Sequence, residues 1–331
     1  MNTAKGLLPA DGLESNCGES ELYDAVCWAE SHPDHYERAN PVAMIISSSG
    51  KKCTAWRVGR DNRMFTARHC ISSQSQLDGA EIWFDYQSSV CGGDEQVAPV
   101  KVTGDELLAE HYKLDFTLFT VNDFASIKGF GNIGLDLRDG DIGEEIFIPQ
   151  HGLGNPKQIA IESDMNAGGV CVIDDNDIDG FYEGSDIGYM CDTTTSSSGA
   201  PVLSGETGRA LGLHHWGGCA NSAVKFSRIW PEVSGFFNGV VPSGNASGDW
   251  AEPNKAPVAQ IAANCDGLAC SFDGRDSSDP DGSLSEWLWR LEGETIATEQ
   301  FDHEFSEAGD YEIELTVVDD EGASAHRTES V

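Results

Sequence analysis

Basic residues are scarce. Twenty lysines and arginines stand against 56 aspartates and glutamates, a net charge of −36. A surface of that sign repels phosphate, which excludes nucleic acid and anionic membranes as partners. It suits a protein that stays soluble in salt. Long apolar runs are also absent. None reaches the roughly 18 residues a membrane-spanning helix needs, so no transmembrane helix is expected. Residues 1–16, MNTAKGLLPADGLESN, lack the hydrophobic core of a signal peptide. Ten cysteines are present, but no CxxC and no Cys/His metal spacing. An even count without metal spacing reads as disulfides, which imply an oxidising compartment, extracellular or periplasmic. A leader removed ahead of Met1 is therefore expected.

Helical periodicity is nearly missing as well. The one good candidate is SRIWPEVSGFFN, residues 227–238. From Pro41 the chain consists of short strand-like runs bounded by Gly, Asp, Asn or Ser: PVAMIIS, TAWRVG, RMFTARHC, EIWFDY, VAPVKV, FTLFTV, EEIFIP and KQIAIE. Many short strands and one terminal helix suit an antiparallel, all-β protein. Residues 1–40 read as an N-terminal extension tethered by disulfides. Residues 41–238 read as the main domain. Residues 239–254, rich in Gly, Ser, Pro and Asn, read as a linker. Strands resume over 255–331. There Tyr311, Ile313, Leu315 and Val317 alternate with polar residues, as do Trp287, Trp289 and Leu291, which predicts half-buried strands of a sandwich.

Three segments carry chemistry. Acyl transfer needs a hydroxyl nucleophile, an imidazole to take its proton, and a carboxylate to orient that imidazole. Ser198 in SSSGAPV is the candidate nucleophile, followed by a tight Gly-Ala-Pro turn into a strand. His69 lies in TARHC at the end of an apolar run, and Asp115 opens DFTLF. Cys70 beside His69 can close a short loop to Cys53 and fix the histidine. Cys265 and Cys270 can staple two adjacent strands of the tail.

TARHC resembles the T-A-A-H-C box of chymotrypsin-like serine proteases. SSSGAPV is similar to the family's G-D-S-G-G-P-V, and LDFTLF to its D-[IF]-[AT]-L-L. The match covers about residues 17–238. It implies two six-stranded β-barrels with a His69–Asp115–Ser198 triad in the cleft between them, acting on protein or peptide substrates without a cofactor. Within the family, SSVCGG and IPQHG most resemble bacterial lysyl endopeptidases. That likeness implies the pairings Cys17–Cys219 and Cys27–Cys91, which leaves Cys171–Cys191. The chain departs from the family at Ser197, where an aspartate receives the newly cut N-terminus of the animal enzymes. It departs again at Ser196, where a glycine N–H and that of the nucleophile, here Ser198, form the oxyanion hole. A flipped Ser196 peptide would make the protein a dormant, adhesive relative rather than an enzyme.

Specificity stays open between two readings. Asp192, six residues before Ser198, sits where trypsin-like enzymes place the carboxylate that selects Lys or Arg. Thr193 together with His215 resembles the glutamyl endopeptidases, which select Glu. Between Cys171 and Cys191, Asp175, Asp177 and Asp179 followed by Gly180 match the opening of a calcium loop, so a structural Ca2+ is one reading and a solvated acidic loop the other. Residues 255–331 resemble a PKD domain in APVAQIAA, in the DPDG turn and in AGDYEIELTVVDDEG. That likeness implies an Ig-like β-sandwich that holds insoluble protein or polysaccharide.

Overall fold

Side-chain alternation along the strands decides which core each residue enters. The computed structural model describes residues 16–244, 256–280, 282–319 and 324–331. With 41% strand and 12% helix, the protein is all-β. It divides into a unit ending at Trp250 and another beginning at Ala251.

The first unit opens with β1 (Tyr23–Asp24). Six strands follow: β2 (Val42–Ile46), β3 (Lys52–Arg57), β4 (Met64–Ala67), β5 (Glu81–Phe84), β6 (Val100–His111) and β7 (Phe116–Val121). They close an antiparallel barrel in the order β2-β3-β4-β7-β6-β5. A second set comprises β8 (Ile146–Gln150), β9 (Gln158–Ala160), β10 (Asp175–Ile178), β11 (Asp186–Tyr189), β12 (Pro201–Ser204), β13 (Ala210–Trp216) and β14 (Asn221–Lys225). With β1 it makes an eight-stranded sheet in the order β1-β9-β8-β12-β13-β14-β11-β10. The segment around Cys171 joins the two ends of this sheet. Cys171 N–H donates to Ile161 C=O, Ile146 N–H donates to Cys171 C=O, and Asp174 N–H donates to Gly188 C=O. The second set thus has eight strands, seven from residues 146–225 and β1 from the N-terminal segment, which adds to β9.

Most strands of this unit are buried on both faces, which is why they read as continuous apolar runs. Along β4, Met64 and Ala67 enter the interior of the first barrel while Phe65 points into a core between the barrels. Along β8, Ile146 and Ile148 fill the second barrel and Phe147 joins the same central core. Trp56, Phe116, Leu203, Leu213 and Val224 converge there too. Each such side chain contributes roughly 1.5–3 kcal/mol of apolar burial. The expected helix forms at Phe226–Val233 and continues as a 3-10 turn over Ser234–Phe237, with Phe226, Ile229 and Val233 capping that core.

The residues read as an N-terminal extension are built into this unit from Cys17 onward. Ala25 and Trp28 are buried, and Trp28 Nε1 donates to Ile159 C=O. Disulfides Cys17–Cys219 and Cys27–Cys91 tie the segment down. Of the linker, residues 245–254 lie outside the described residues. Its described part stays hydrogen-bonded to the first unit through Pro242 C=O and Ser243 C=O.

The second unit is a sandwich of two sheets. β15 (Ala262–Asp266), β16 (Ala269–Asp273) and β19 (Gln300–Glu304) form one, in the order β15-β16-β19. β17 (Leu284–Leu291), β18 (Glu294–Ala297), β20 (Glu312–Asp319) and β21 (Ser324–Ser330) form the other, in the order β18-β17-β20-β21. Cys265 and Cys270 sit directly opposite in β15 and β16 and are bonded. The Glu292-Gly293 pair turns β17 into β18 with positive φ at both residues, the geometry of a two-residue type I′ hairpin. Trp289 is fully buried against Phe301, and its indole N–H donates to Thr298 C=O; Trp287 is half-buried. Trp289→Ala is expected to cost about 3–5 kcal/mol in this small unit. In scanning calorimetry the transition of the C-terminal unit should fall by more than about 12 °C, with that of the N-terminal unit unmoved.

Candidate active site

His69 follows β4 by two residues, and Asp115 immediately precedes the paired strand β7. The pairing of β4 with β7 therefore brings them together across 46 residues of sequence. Asp115 Oδ1 accepts the backbone N–H of His69 at 2.9 Å, and Oδ2 lies 2.7 Å from His69 Nδ1. A carboxylate only accepts, so Nδ1 carries the proton and Nε2 presents a lone pair. Asp115 is buried and sits at a left-handed φ of 45°, the sort of local strain that persists where several bonds fix a residue.

The loop holding Ser198 is gripped from both barrels. Thr54 N–H donates to Ser198 C=O at 2.9 Å, and Thr54 Oγ1 donates to Ser196 C=O at 3.1 Å. Gly199 N–H donates to His214 C=O on β13, while Gly199 C=O accepts from Trp56 Nε1 on β3. The Cys53–Cys70 disulfide lies beneath: Cys70 Sγ is 3.8 Å from Ser198 C=O, and a His69 ring nitrogen is within 4.8 Å of both sulfurs. Those sulfurs are bonded to each other, so this cluster does not hold a metal. The structure thus bonds His69 to Asp115 and places the Ser198 backbone against the same disulfide that adjoins His69.

Ser196 takes φ +83°, the conformation a glycine adopts freely. Thr195 C=O accepts from Leu153 N–H. A trans peptide points its N–H opposite to its C=O, so this bond orients the Ser196 N–H away from Leu153. Ser197 is fully buried, and its hydroxyl accepts the N–H of Thr194 at 3.0 Å. A local turn closed by a neutral hydroxyl stands where the animal enzymes have an aspartate.

Two specificity assignments are corrected by the geometry. Asp192 is 2% exposed, and both carboxylate oxygens are engaged by backbone: Oδ1 accepts Cys17 N–H at 2.8 Å and Oδ2 accepts Glu21 N–H at 2.7 Å. Burial and the neighbouring Asp164 raise its carboxyl above the usual range, against the pull of those two N–H groups. It anchors the N-terminal segment rather than facing a substrate cation. His215 does not line a pocket either. Its side chain is 1% exposed, with Nε2 2.7 Å from Asp186 Oδ2 and Nδ1 3.5 Å from Asp115 Oδ2. Burial alone would lower this imidazole, but the two carboxylates push it up to about 9. His215 is thus an imidazolium placed behind the Asp115–His69 pair. Burial would likewise raise Asp115, yet His215 and His69 hold it well below the usual carboxylate range.

Thr193 is buried, and its hydroxyl has no hydrogen-bond partner among the described residues. His214 is buried with Nδ1 2.6 Å from the Tyr189 hydroxyl, and burial pushes it down to about 3. The three aspartates of the calcium reading do not converge. Asp175 and Asp177 lie in β10, where they alternate with half-buried residues, and Asp179 N-terminally caps Gly184 through its Oδ1. Among the described residues these three carboxylates do not form a group of closely spaced ligand atoms. Asp186, a few residues further on, is the carboxylate that holds His215.

Sequence reasoning missed Asp186. The signal was present: Asp186 opens the apolar run DIGY as Asp115 opens DFTLF. Thr54, which docks the nucleophile loop, carried no signal at all.

Comparison with known proteins agrees with the architecture. Residues 53–213 match the family model of the trypsin-like peptidase domain, and residues 254–331 match that of the PKD domain. The chain therefore joins a trypsin-like peptidase domain to a PKD domain. It is 27% identical over 239 residues to "Secreted RxLR effector protein 73" of Plasmopara viticola, covering 70% of this chain and 57% of that protein. The tail is 34% identical over 82 residues to a microbial collagenase of Vibrio alginolyticus, covering 24% of this chain and 10% of that one. The chain thus spans little more than half the length of the first curated relative and a tenth of the second. A solved Glu endopeptidase is 15% identical, with 61% of this chain and 92% of that chain covered at a TM-score of 0.46.

Two outcomes follow from the site's geometry. A methyl at Gly199 would lie 2.3 Å from Thr54 C=O and 2.8 Å from Ala67 N, at a φ of +90°. Gly199→Ala is expected to cost about 3 kcal/mol or more in stability, read as a fall in thermal midpoint of at least about 6 °C. The His215 imidazolium stabilises the fold fully below its unfolded value of 6.5, and that contribution is lost as pH rises through about 9. The thermal midpoint should therefore drop between about pH 6.5 and 9, and His215→Gln should flatten that drop.

Proposed function

We propose that the chain is a secreted serine endopeptidase. The observation that carries this reading is the doubly bonded His69–Asp115 pair beside a loop that fixes Ser198 from both barrels. His69 Nε2 takes the proton of Ser198 Oγ as that oxygen attacks the scissile carbonyl. The N–H groups of Ser196 and Ser198 receive the oxyanion. His69 then delivers its proton to the leaving amine, and the acyl-enzyme is hydrolysed by water in the reverse sequence. Asp115 orients the imidazole and stabilises its charged form. The five disulfides support an oxidising, extracellular setting. The PKD domain supplies a second point of attachment to protein or polysaccharide substrates.

With Asp192 and His215 engaged elsewhere, neither supplies a fixed charge to a substrate side chain, and the buried hydroxyl of Thr193 is the group of those readings that remains unbonded among the described residues. A preference for neutral or polar side chains at the cleavage site is the corresponding expectation.

The test is digestion of a denatured protein mixture, with mass spectrometry of the new termini, run beside Ser198→Ala. Cleavage is expected with the native protein and reduced by at least ~10⁴-fold in the variant. Equal cleavage by both, or none by either, would overturn the reading. Termini dominated by Lys or Arg would overturn the assignment of the pocket alone.

A further inference from the structure

The segment Cys17–Glu21 is stitched across the two stretches that flank the nucleophile. One stretch is Cys191–Ser198; the other is the turn that follows β13, from Trp216 to Asn221. Cys17 is bonded covalently to Cys219 in the second stretch, and its N–H reaches Asp192 in the first. Glu21 N–H reaches the other oxygen of the same carboxylate. Asn221 completes the cross-tie: Nδ2 donates to Cys191 C=O at 2.8 Å, and Oδ1 accepts Gly218 N–H at 3.1 Å. Outside these stretches, Glu19 N–H donates to Asp164 Oδ2.

The tie continues toward the oxyanion loop through bonded neighbours. Asp192 C=O accepts from Gln150 Nε2 at 2.9 Å. The next residue, His151, donates its N–H to Thr54 Oγ1 at 3.0 Å, and that hydroxyl donates to Ser196 C=O. Along the chain itself, Thr194 and Ser197 exchange two hydrogen bonds just past Asp192. If the segment left, a buried carboxylate would lose two N–H partners. Such a group must then recruit water or shift its backbone, and the strain passes into residues 193–197, which join Asp192 to Ser198.

We propose that Asp192 is a positioning residue for the oxyanion loop, and that it acts by receiving the disulfide-held segment Cys17–Glu21. The inference rests on the serine-endopeptidase reading. It assigns to a backbone segment, held by Cys17–Cys219, the task that a charged new N-terminus performs in the animal enzymes. The substituted Ser197 is then no defect, because order in the loop is imposed from Asp192 instead. It also makes activity conditional on oxidation, since the covalent half of the tie is lost on reduction.

The experiment compares Asp192→Asn, Asp192→Ala and the double variant Cys17→Ser/Cys219→Ser with the native protein. Rates of Ser198 labelling by a fluorophosphonate are measured with kcat and KM on one peptide substrate. Asn keeps one strong acceptor and Ala keeps none. The expected order is a modest loss for Asn, and a fall of at least tenfold in both kcat and labelling rate for Ala and the double variant, with KM changed less. Rates within twofold of native, in variants whose thermal midpoint has dropped, would overturn the proposal. If the native protein neither labels nor cleaves, the endopeptidase reading fails. Amide hydrogen exchange then decides the positioning role by itself. Faster exchange confined to residues 193–198 supports it; uniform acceleration across the first unit, or none, overturns it.

Discussion

Everything at the catalytic centre depends on one contact, the docking of the 196–199 loop onto the edge of β3 at Thr54. That residue offers its N–H to Ser198, its hydroxyl proton to Ser196, and the same hydroxyl's lone pair to His151. Gly199 is the condition for it, because the loop's backbone approaches Thr54 C=O more closely than any Cβ permits. The two barrels therefore meet through backbone, not only through the apolar core of Trp56, Phe65 and Phe226. Backbone docking leaves little freedom in where Ser198 lies relative to His69, since β3 and β4 are paired neighbours. Preorganisation of this sort is what lets a hydroxyl of ordinary basicity serve as a nucleophile.

A second constraint is electrostatic. In a chain with so many acids, the cleft is organised around a buried cation. His215 stands between Asp186 and Asp115, each carboxylate compensating part of its desolvation. The charge on Asp115 is thereby shared between two imidazoles on opposite sides. Because β13 carries His215 and β11 carries Asp186, with β14 between them, the arrangement is held by sheet register and not by a loop.

Much of this was legible in the sequence. The strands of the first unit could be read as short apolar runs between polar breaks, those of the second because their burial alternates with period two, and the three candidate boxes because they lie at the ends of such runs. The Cys53–Cys70 and Cys265–Cys270 bridges were legible from proximity alone. The roles of Asp192 and His215 were not. Both sit at positions where relatives suggest a pocket, and both are redirected by partners remote in sequence: residues 17 and 21 for Asp192, residue 186 for His215. The aspartates at 175, 177 and 179 pose a different question. Their spacing fits a calcium loop, but spacing does not record whether the backbone turns or extends, and pairing with β11 extends it. The eighth strand of the second sheet escaped notice because two residues, Tyr23 and Asp24, are too few to show any period.

The Cys17–Cys219 bridge encloses 202 residues, nearly the whole of the first unit, in a covalent ring. At about 3.3–3.6 Å per residue that ring hides roughly 700 Å of contour length. β14 and the core-capping helix Phe226–Val233 lie outside the ring, so tension on the chain after Cys219 is borne first by their pairing and packing. The segments that carry His69, Asp115, Ser198 and His215 all lie within the ring, so they stay covalently joined end to end even when β14 is drawn away.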